Sequence, residues 1–148
     1  MWSKTTEYAI RALIYIALSN KESRRPGFRE VAEGIDAPVQ FTAKILQTLV
    51  RNGLLSSIRG KGGGFFFGRN AEDLKLSDVI TAFEGKDYFI GCALGLRECD
   101  ATHPCPLHDE FVEIRTNLEV MAKRETVQGL ALKIEGGSAK LKRDKNEG

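Results

Sequence analysis

The run at residues 52–68, NGLLSSIRGKGGGFFFG, leaves the chain little conformational choice. Four glycines at 60 and 62–64 remove the steric penalty on a tight reversal, and the apolar segments on either side favour extended backbone. Residues 54–58 and 65–67 are therefore expected as two strands of a β-hairpin with Arg59 and Lys61 at its tip. GKGGG also invites a nucleotide-binding reading. No Ser or Thr follows the lysine, and an extended segment rather than a helix comes next, so that reading is set aside.

What precedes the hairpin gives it a context. Asp36-Ala37-Pro38 is a strong helix start, because proline at a first helical position has no amide to lose and aspartate suits the positive end of the dipole. The helix is expected to run to Asn52-Gly53, with Phe41, Ile45, Leu46, Leu49 and Val50 on its apolar face. Val39, Gln40, Thr42, Ala43, Lys44, Gln47 and Arg51 fall on the outer face, which is small, polar and basic. A shorter helix at 28–33, stopped by a left-handed turn at Gly34, comes just before it. Together they describe a helix-turn-helix whose second helix enters the DNA major groove, and the hairpin becomes the wing of a winged helix. Any solvated amphipathic helix would show the same pattern, and the hairpin directly behind it is what tips the balance. Val39, Gln40, Thr42, Lys44 and Arg51 on the helix, with Arg59 and Lys61 on the wing, are the expected DNA-binding residues.

The first helix begins at a cap on Ser3 or Thr5 and is expected to reach about Leu18, with Ala9, Ala12, Leu13, Ile16 and Ala17 inside. Glu7 and Arg11, four apart, should form an exposed ion pair. After the wing, Ser77 caps a helix with Val79, Ile80 and Phe83 inside and Gly85 as its stop. The charge supports a nucleic-acid role for the first part. Residues 1–69 carry 11 Lys or Arg against 5 Asp or Glu, whereas residues 70–134 carry 7 against 12. A basic module leading an acidic one is the footprint expected of a DNA binder.

Every cysteine and histidine lies in CALGLRECDATHPCPLH, residues 92–108, where Cys92, Cys99, Cys105 and His108 form C-x6-C-x5-C-x2-H. A segment so rich in Gly, Pro and Asp cannot bury a core of its own, so a bound metal would supply its order. Free thiols packed as small hydrophobes, or a disulfide with one cysteine left over, would not explain the clustering. Thiols favour zinc or an iron–sulfur cluster over magnesium or calcium. Only Cys105-x2-His108 resembles a zinc knuckle, and clusters tolerate the wider spacings. Beyond the loop, Leu107, Phe111, Ile114, Leu118 and Met121 alternate steps of four and three, the heptad seam of a helix packed on a partner helix. A last helical turn or two is expected at 126–132.

The expected architecture is mainly α with a small β hairpin: a winged helix-turn-helix domain at 1–85, a cysteine-rich cluster loop at 86–105, a dimerisation helix region at 106–133 and a disordered tail at 134–148. No apolar run approaches the roughly 20 residues of a membrane span, and the chain opens on polar residues without a signal peptide, so a cytoplasmic protein with reduced thiols is expected. No Ser, His and Asp arrangement, phosphate loop or paired-carboxylate cleft points to catalysis, and the expected protein is not an enzyme.

Over residues 1–133 the chain resembles the bacterial iron–sulfur-sensing winged-helix regulators, the group that includes IscR and NsrR. TTEYAIRAL at 5–13, NGLLSSIRGKGGGFFFG and the three cysteines followed by histidine carry the likeness. The resemblance implies a homodimer on palindromic double-stranded promoter DNA, with repression the leading expectation, and a cluster between the wing domain and the dimer helix. It matches Cys92, Cys99 and Cys105 to the cluster thiolates and His108 to the histidine that completes a 2Fe–2S site, with 4Fe–4S as the alternative. Glu7 falls where some members place a carboxylate ligand from the other subunit. Structural zinc, or a cluster-free cysteine redox switch on the same fold, is the rival reading. The chain departs from IscR in three places: one more residue between Cys92 and Cys99, Ala43-Lys44 in place of an acidic residue and glutamine, and Lys61 where proline is usual.

Overall fold

Helix α1, Lys4–Lys21, is buried around most of its circumference: Ala9, Ile10, Ala12, Leu13, Ile14, Ile16 and Ala17 are all inside. A helix apolar nearly all round has to be central, and here α2, α3, α4 and α6 pack against it. The computed structural model describes residues 1–68 and 74–142, with six helices and one antiparallel hairpin among them. Ser3 is the cap, its hydroxyl accepting the Thr6 amide at 3.3 Å. The expected Glu7–Arg11 pair does not form. Glu7 meets Lys4 one turn earlier at 3.3 Å, and the Arg11 guanidinium lies 4.8 Å from the Tyr8 ring centre.

The helix outruns the expected end at Leu18 because its last residues serve the wing. Asn20 donates to the Arg24 carbonyl at 2.9 Å and the Phe65 carbonyl at 3.3 Å, and its side-chain oxygen accepts the Phe67 amide at 3.0 Å. Pro26 adds a backbone bond, its carbonyl accepting the Phe65 amide at 2.9 Å. The segment before α2 is thereby tied to the hairpin at Phe65 and Phe67.

Helix α2 spans Phe28–Gly34, so Gly34 lies inside it and not in a left-handed stop. Its glycine is required by packing, since a methyl there would overlap the Tyr15 ring. The left-handed residue is Asp36, with φ 54°. Helix α3, Val39–Arg51, is capped by Pro38, whose carbonyl accepts both the amide of Thr42 at 2.9 Å and its hydroxyl at 2.8 Å. That turns Thr42 inward to full burial, while Phe41, expected inside, is 37% exposed and meets Tyr8 edge-on.

Strands β1, Ser56–Ile58, and β2, Gly64–Phe66, pair with Ser57 opposite Phe65. Leu55, expected in the first strand, is a buried core residue ahead of it. Helix α4, Leu76–Glu84, is capped at Lys75 and not at Ser77, because the Asp78 carboxylate accepts the Lys75 amide at 3.2 Å. Gly85, at φ 102°, ends it as expected.

Helix α5, Val112 among its residues, spans His108–Arg124 and buries only Ala122. Helix α6, Val127–Glu135, is longer than expected and belongs to the core. Its Val127 and Ala131 are fully buried, and backbone bonds from Val127 to Leu74 and from Leu76 to Glu125, both 2.9 Å, tie its start to that of α4. Residues 126–135 thus pack into the domain that α1 organises. Within the span expected as a disordered tail, residues 135–142 make contacts with the domain: Lys21 pairs with Glu135 at 2.7 Å, Leu141 packs on the core, and Lys142 donates to the Glu33 carbonyl at 3.3 Å. The rest of that expectation, 143–148, lies outside the described residues.

Candidate DNA interface and cysteine loop

Gln40, Lys44, Gln47 and Arg51 form the exposed stripe of α3, with Val39 half-buried at its start. Thr42 leaves this set: its hydroxyl is spent on the Pro38 carbonyl and its side chain is buried, so it cannot face a base. Arg59 and Lys61 stand exposed on the wing turn. Between α3 and the wing lies an open cleft of about 710 Å³ lined by Phe28, Gln47, Val50, Arg51, Ile58, Arg59 and Phe65, among others. Gln47 is the residue that sequence reasoning placed on the outer face but did not assign to the site. Its position one turn before Arg51 was the available signal.

Between α4 and α5, the three half-buried cysteines carry free thiols. They fall into two pairs. Cys99 Sγ is 3.5 Å from Nδ1 of His108, the first residue of α5. Cys92 lies beside the Cys105 thiol, and the backbone amides of Leu94 and Leu96, followed by the Cys105 contact, hold its thiol below the usual range. Arg115 on α5 donates to the Gly91 carbonyl at 2.7 Å, anchoring the loop just ahead of Cys92. His103 takes no part, pairing instead with Asp100 at 2.9 Å and holding that carboxyl below its ordinary value.

The donor set, three thiols and an imidazole, suits a cluster or zinc, but the loop gathers it as two pairs. Among the described residues no three His, Cys, Asp or Glu side chains converge on one point. Glu7 lies on α1, where its exposed carboxylate pairs with Lys4 at 3.3 Å. The apolar seam also divides. Leu118 and Met121 pack against the chain's own core, Phe111 is half-buried, and Leu107 and Ile114 are 45% and 60% exposed. Among the described residues, no helix is long and apolar enough to cross a membrane.

A helix-turn-helix braced on a glycine-turned hairpin, with cations along both, defines a winged-helix DNA-binding transcriptional regulator, as the sequence led us to expect. The chain belongs to the Rrf2 family, whose model, described as an iron-dependent transcriptional regulator, matches residues 2–133. It is similar to an HTH-type transcriptional regulator of Aquifex aeolicus, 28% identical over 88% of this chain and 90% of that one. It is similar also to IscR of Pectobacterium atrosepticum, 29% identical over 68% of this chain and 60% of that one. Two solved structures share the fold. They are T. potens IscR, with TM-score 0.74 at 18% identity over 95% and 92% of the two chains, and CymR, the global cysteine regulator of B. subtilis, with TM-score 0.73 at 20% identity over 89% and 96%. The protein is a regulator and not an enzyme.

Proposed function

We propose that this protein is a homodimeric repressor of palindromic promoters whose DNA affinity follows an iron–sulfur cluster held by Cys92, Cys99, Cys105 and His108. The observation that supports the reading is the Cys99–His108 approach, 3.5 Å at the first residue of α5, which brings two of the four proposed donors together where the loop meets the helix expected to pair two subunits. Bound there, a 2Fe–2S cluster would supply a redox-labile cross-link, and the imidazole favours it over 4Fe–4S. The chain's own part is to hold the donors. Arg115 fixes the loop ahead of Cys92, and amides of residues 94 and 96 stabilise the Cys92 thiolate. Ordering or releasing this loop shifts the balance between two settings of α5, and through the dimer the spacing of the two α3 helices.

A second reading rests on the Cys92–Cys105 contact. A thiol held below its usual range beside another thiol is suited to reversible disulfide formation by exchange with a disulfide oxidant, which takes up the two electrons, so a cluster-free redox switch would use these two residues. Absorption spectra and iron, sulfide and zinc analysis of protein purified without oxygen separate the readings. Visible charge-transfer bands that bleach in Cys92→Ala, Cys99→Ala or Cys105→Ala support the cluster, and greater bleaching in His108→Ala than in Glu7→Ala assigns the fourth donor. Colourless protein with stoichiometric zinc refutes the sensor. Metal-free protein whose DNA affinity follows thiol oxidation favours the switch.

A further inference from the structure

Arg25, Arg29, Lys44, Arg51, Arg59 and Lys61 are exposed and have no carboxylate partner among the described residues. Arg24 is the contrast, engaged by Glu22 at 3.2 Å and Glu30 at 2.8 Å. Four of the six lie on α3 and the wing turn. Arg25 and Arg29 do not, and neither was assigned a role from the sequence.

Both guanidiniums rest on aromatic faces. The Arg25 Cζ lies 4.5 Å from the Phe66 ring centre, and that of Arg29 lies 5.2 Å from the Phe28 ring centre. Stacking occupies the face of a guanidinium and leaves its edge N–H donors in plane, the fork that matches two phosphate oxygens. It also limits the rotamer freedom to be lost when an anion binds. The platforms themselves are fixed to the DNA-facing elements. Phe66 belongs to β2, the Arg25 backbone packs against Gly64, and Phe28 lines the same cleft as Arg51 and Arg59.

We propose that Arg25 and Arg29 are phosphate-contacting residues, an arm of the DNA interface that grips the backbone beside the wing. The proposal rests on the DNA-binding reading of this face and names a part of it outside α3 and the wing tip. The contact is to phosphate, so it does not depend on knowing the operator, and random-sequence duplex DNA is the probe.

Each phosphate contact contributes about 0.9 to the slope of log affinity against log salt. Arg25→Gln with Arg29→Gln should therefore lower that slope by about 2 per protomer, and between about 50 and 200 mM salt affinity should fall about 12-fold less than in the wild type for each protomer engaged, about 150-fold less for a homodimer. The Arg25→Lys, Arg29→Lys protein keeps the charges and should keep most of the slope. Arginines that only shield the rings would show the opposite: a lower melting temperature in the Gln protein with the slope unchanged, which overturns the proposal. A slope lost equally in the Lys and Gln proteins overturns it too. Should the double Gln protein not fold, Arg25→Gln and Arg29→Gln taken singly, each expected to remove about 1 from the slope, answer the question. Wild-type protein with no salt-dependent affinity for duplex DNA refutes the DNA-binding reading itself.

Discussion

Gly64→Ala would test whether the wing is positioned by packing on the segment before α2. Gly64 sits at φ 147°, and a Cβ there would come within 2.6 Å of the Arg25 carbonyl carbon and 2.9 Å of the Pro26 carbonyl oxygen. Both neighbours are backbone, so the hairpin must move off that segment. The conformation alone costs an L-residue about 1–3 kcal/mol. Movement also threatens the Phe65–Pro26 bond and the two bonds from Asn20 to Phe65 and Phe67, each contributing about 1 kcal/mol. Detachment of the wing relieves part of the strain, which leaves a net loss of about 3 kcal/mol, or about 6–12 °C in Tm for a domain of this size. Gly62→Ala is the control. Gly62 has φ 78° and open space around it, so only the left-handed penalty of about 1–2 kcal/mol applies. Thermal unfolding by circular dichroism and titration with duplex DNA, run on both variants, should show Gly64→Ala to be the less stable and the weaker binder. If Gly64→Ala melts no lower than Gly62→Ala, or binds DNA like the wild type, the account of the wing as held by the segment before α2 is wrong.

Ile114→Asp puts a charge at a 60% exposed seam position, so sedimentation at micromolar concentration should show monomers whose folded stability is little changed. A dimeric Ile114→Asp protein would remove α5 from the subunit contact. Glu84 accepts the Ser3 amide and the Thr6 hydroxyl, both at 2.8 Å; burial pushes its carboxyl up, but these bonds outweigh it and the net pKa falls below the ordinary 4.5. The stabilisation is therefore present above that value and lost as pH falls through the lower folded one, so Glu84→Gln should be less stable than wild type at pH 7, with the gap closing in acid unfolding. A gap that is constant with pH would contradict this. Arg59→Ala should weaken binding to any duplex and lower the salt slope by about 1, whereas Lys44→Ala should mainly relax sequence choice in a selection experiment. An unchanged slope in Arg59→Ala takes the wing turn out of the interface.

Local rules were enough for the winged helix. Glycine spacing located the hairpin, and three- and four-residue periodicity located α1, α3 and α4, because turn chemistry and amphipathicity act over a few residues. The donor set was legible as a cluster of residue types, and Lys44, Arg51, Arg59 and Lys61 as outward cations, for the same reason.

Other features were decided by which contacts the folded chain makes, most of them between residues distant in sequence. Thr42 read as polar and outward, yet a bond to the carbonyl four residues back satisfies its hydroxyl and lets it bury like valine. Gly34 read as a helix stop, but what demands glycine there is a tyrosine ring nineteen positions earlier on α1. Helix α6 looked like a trailing turn because its short apolar face means little until α1 covers it. The pairing of Cys92 with Cys105 and of Cys99 with His108 likewise depends on where α5 begins and how Arg115 holds the loop. Spacing records which residues are available to meet. Which of them do meet is settled by the closing of loops across the fold, a cost that no local pattern encodes.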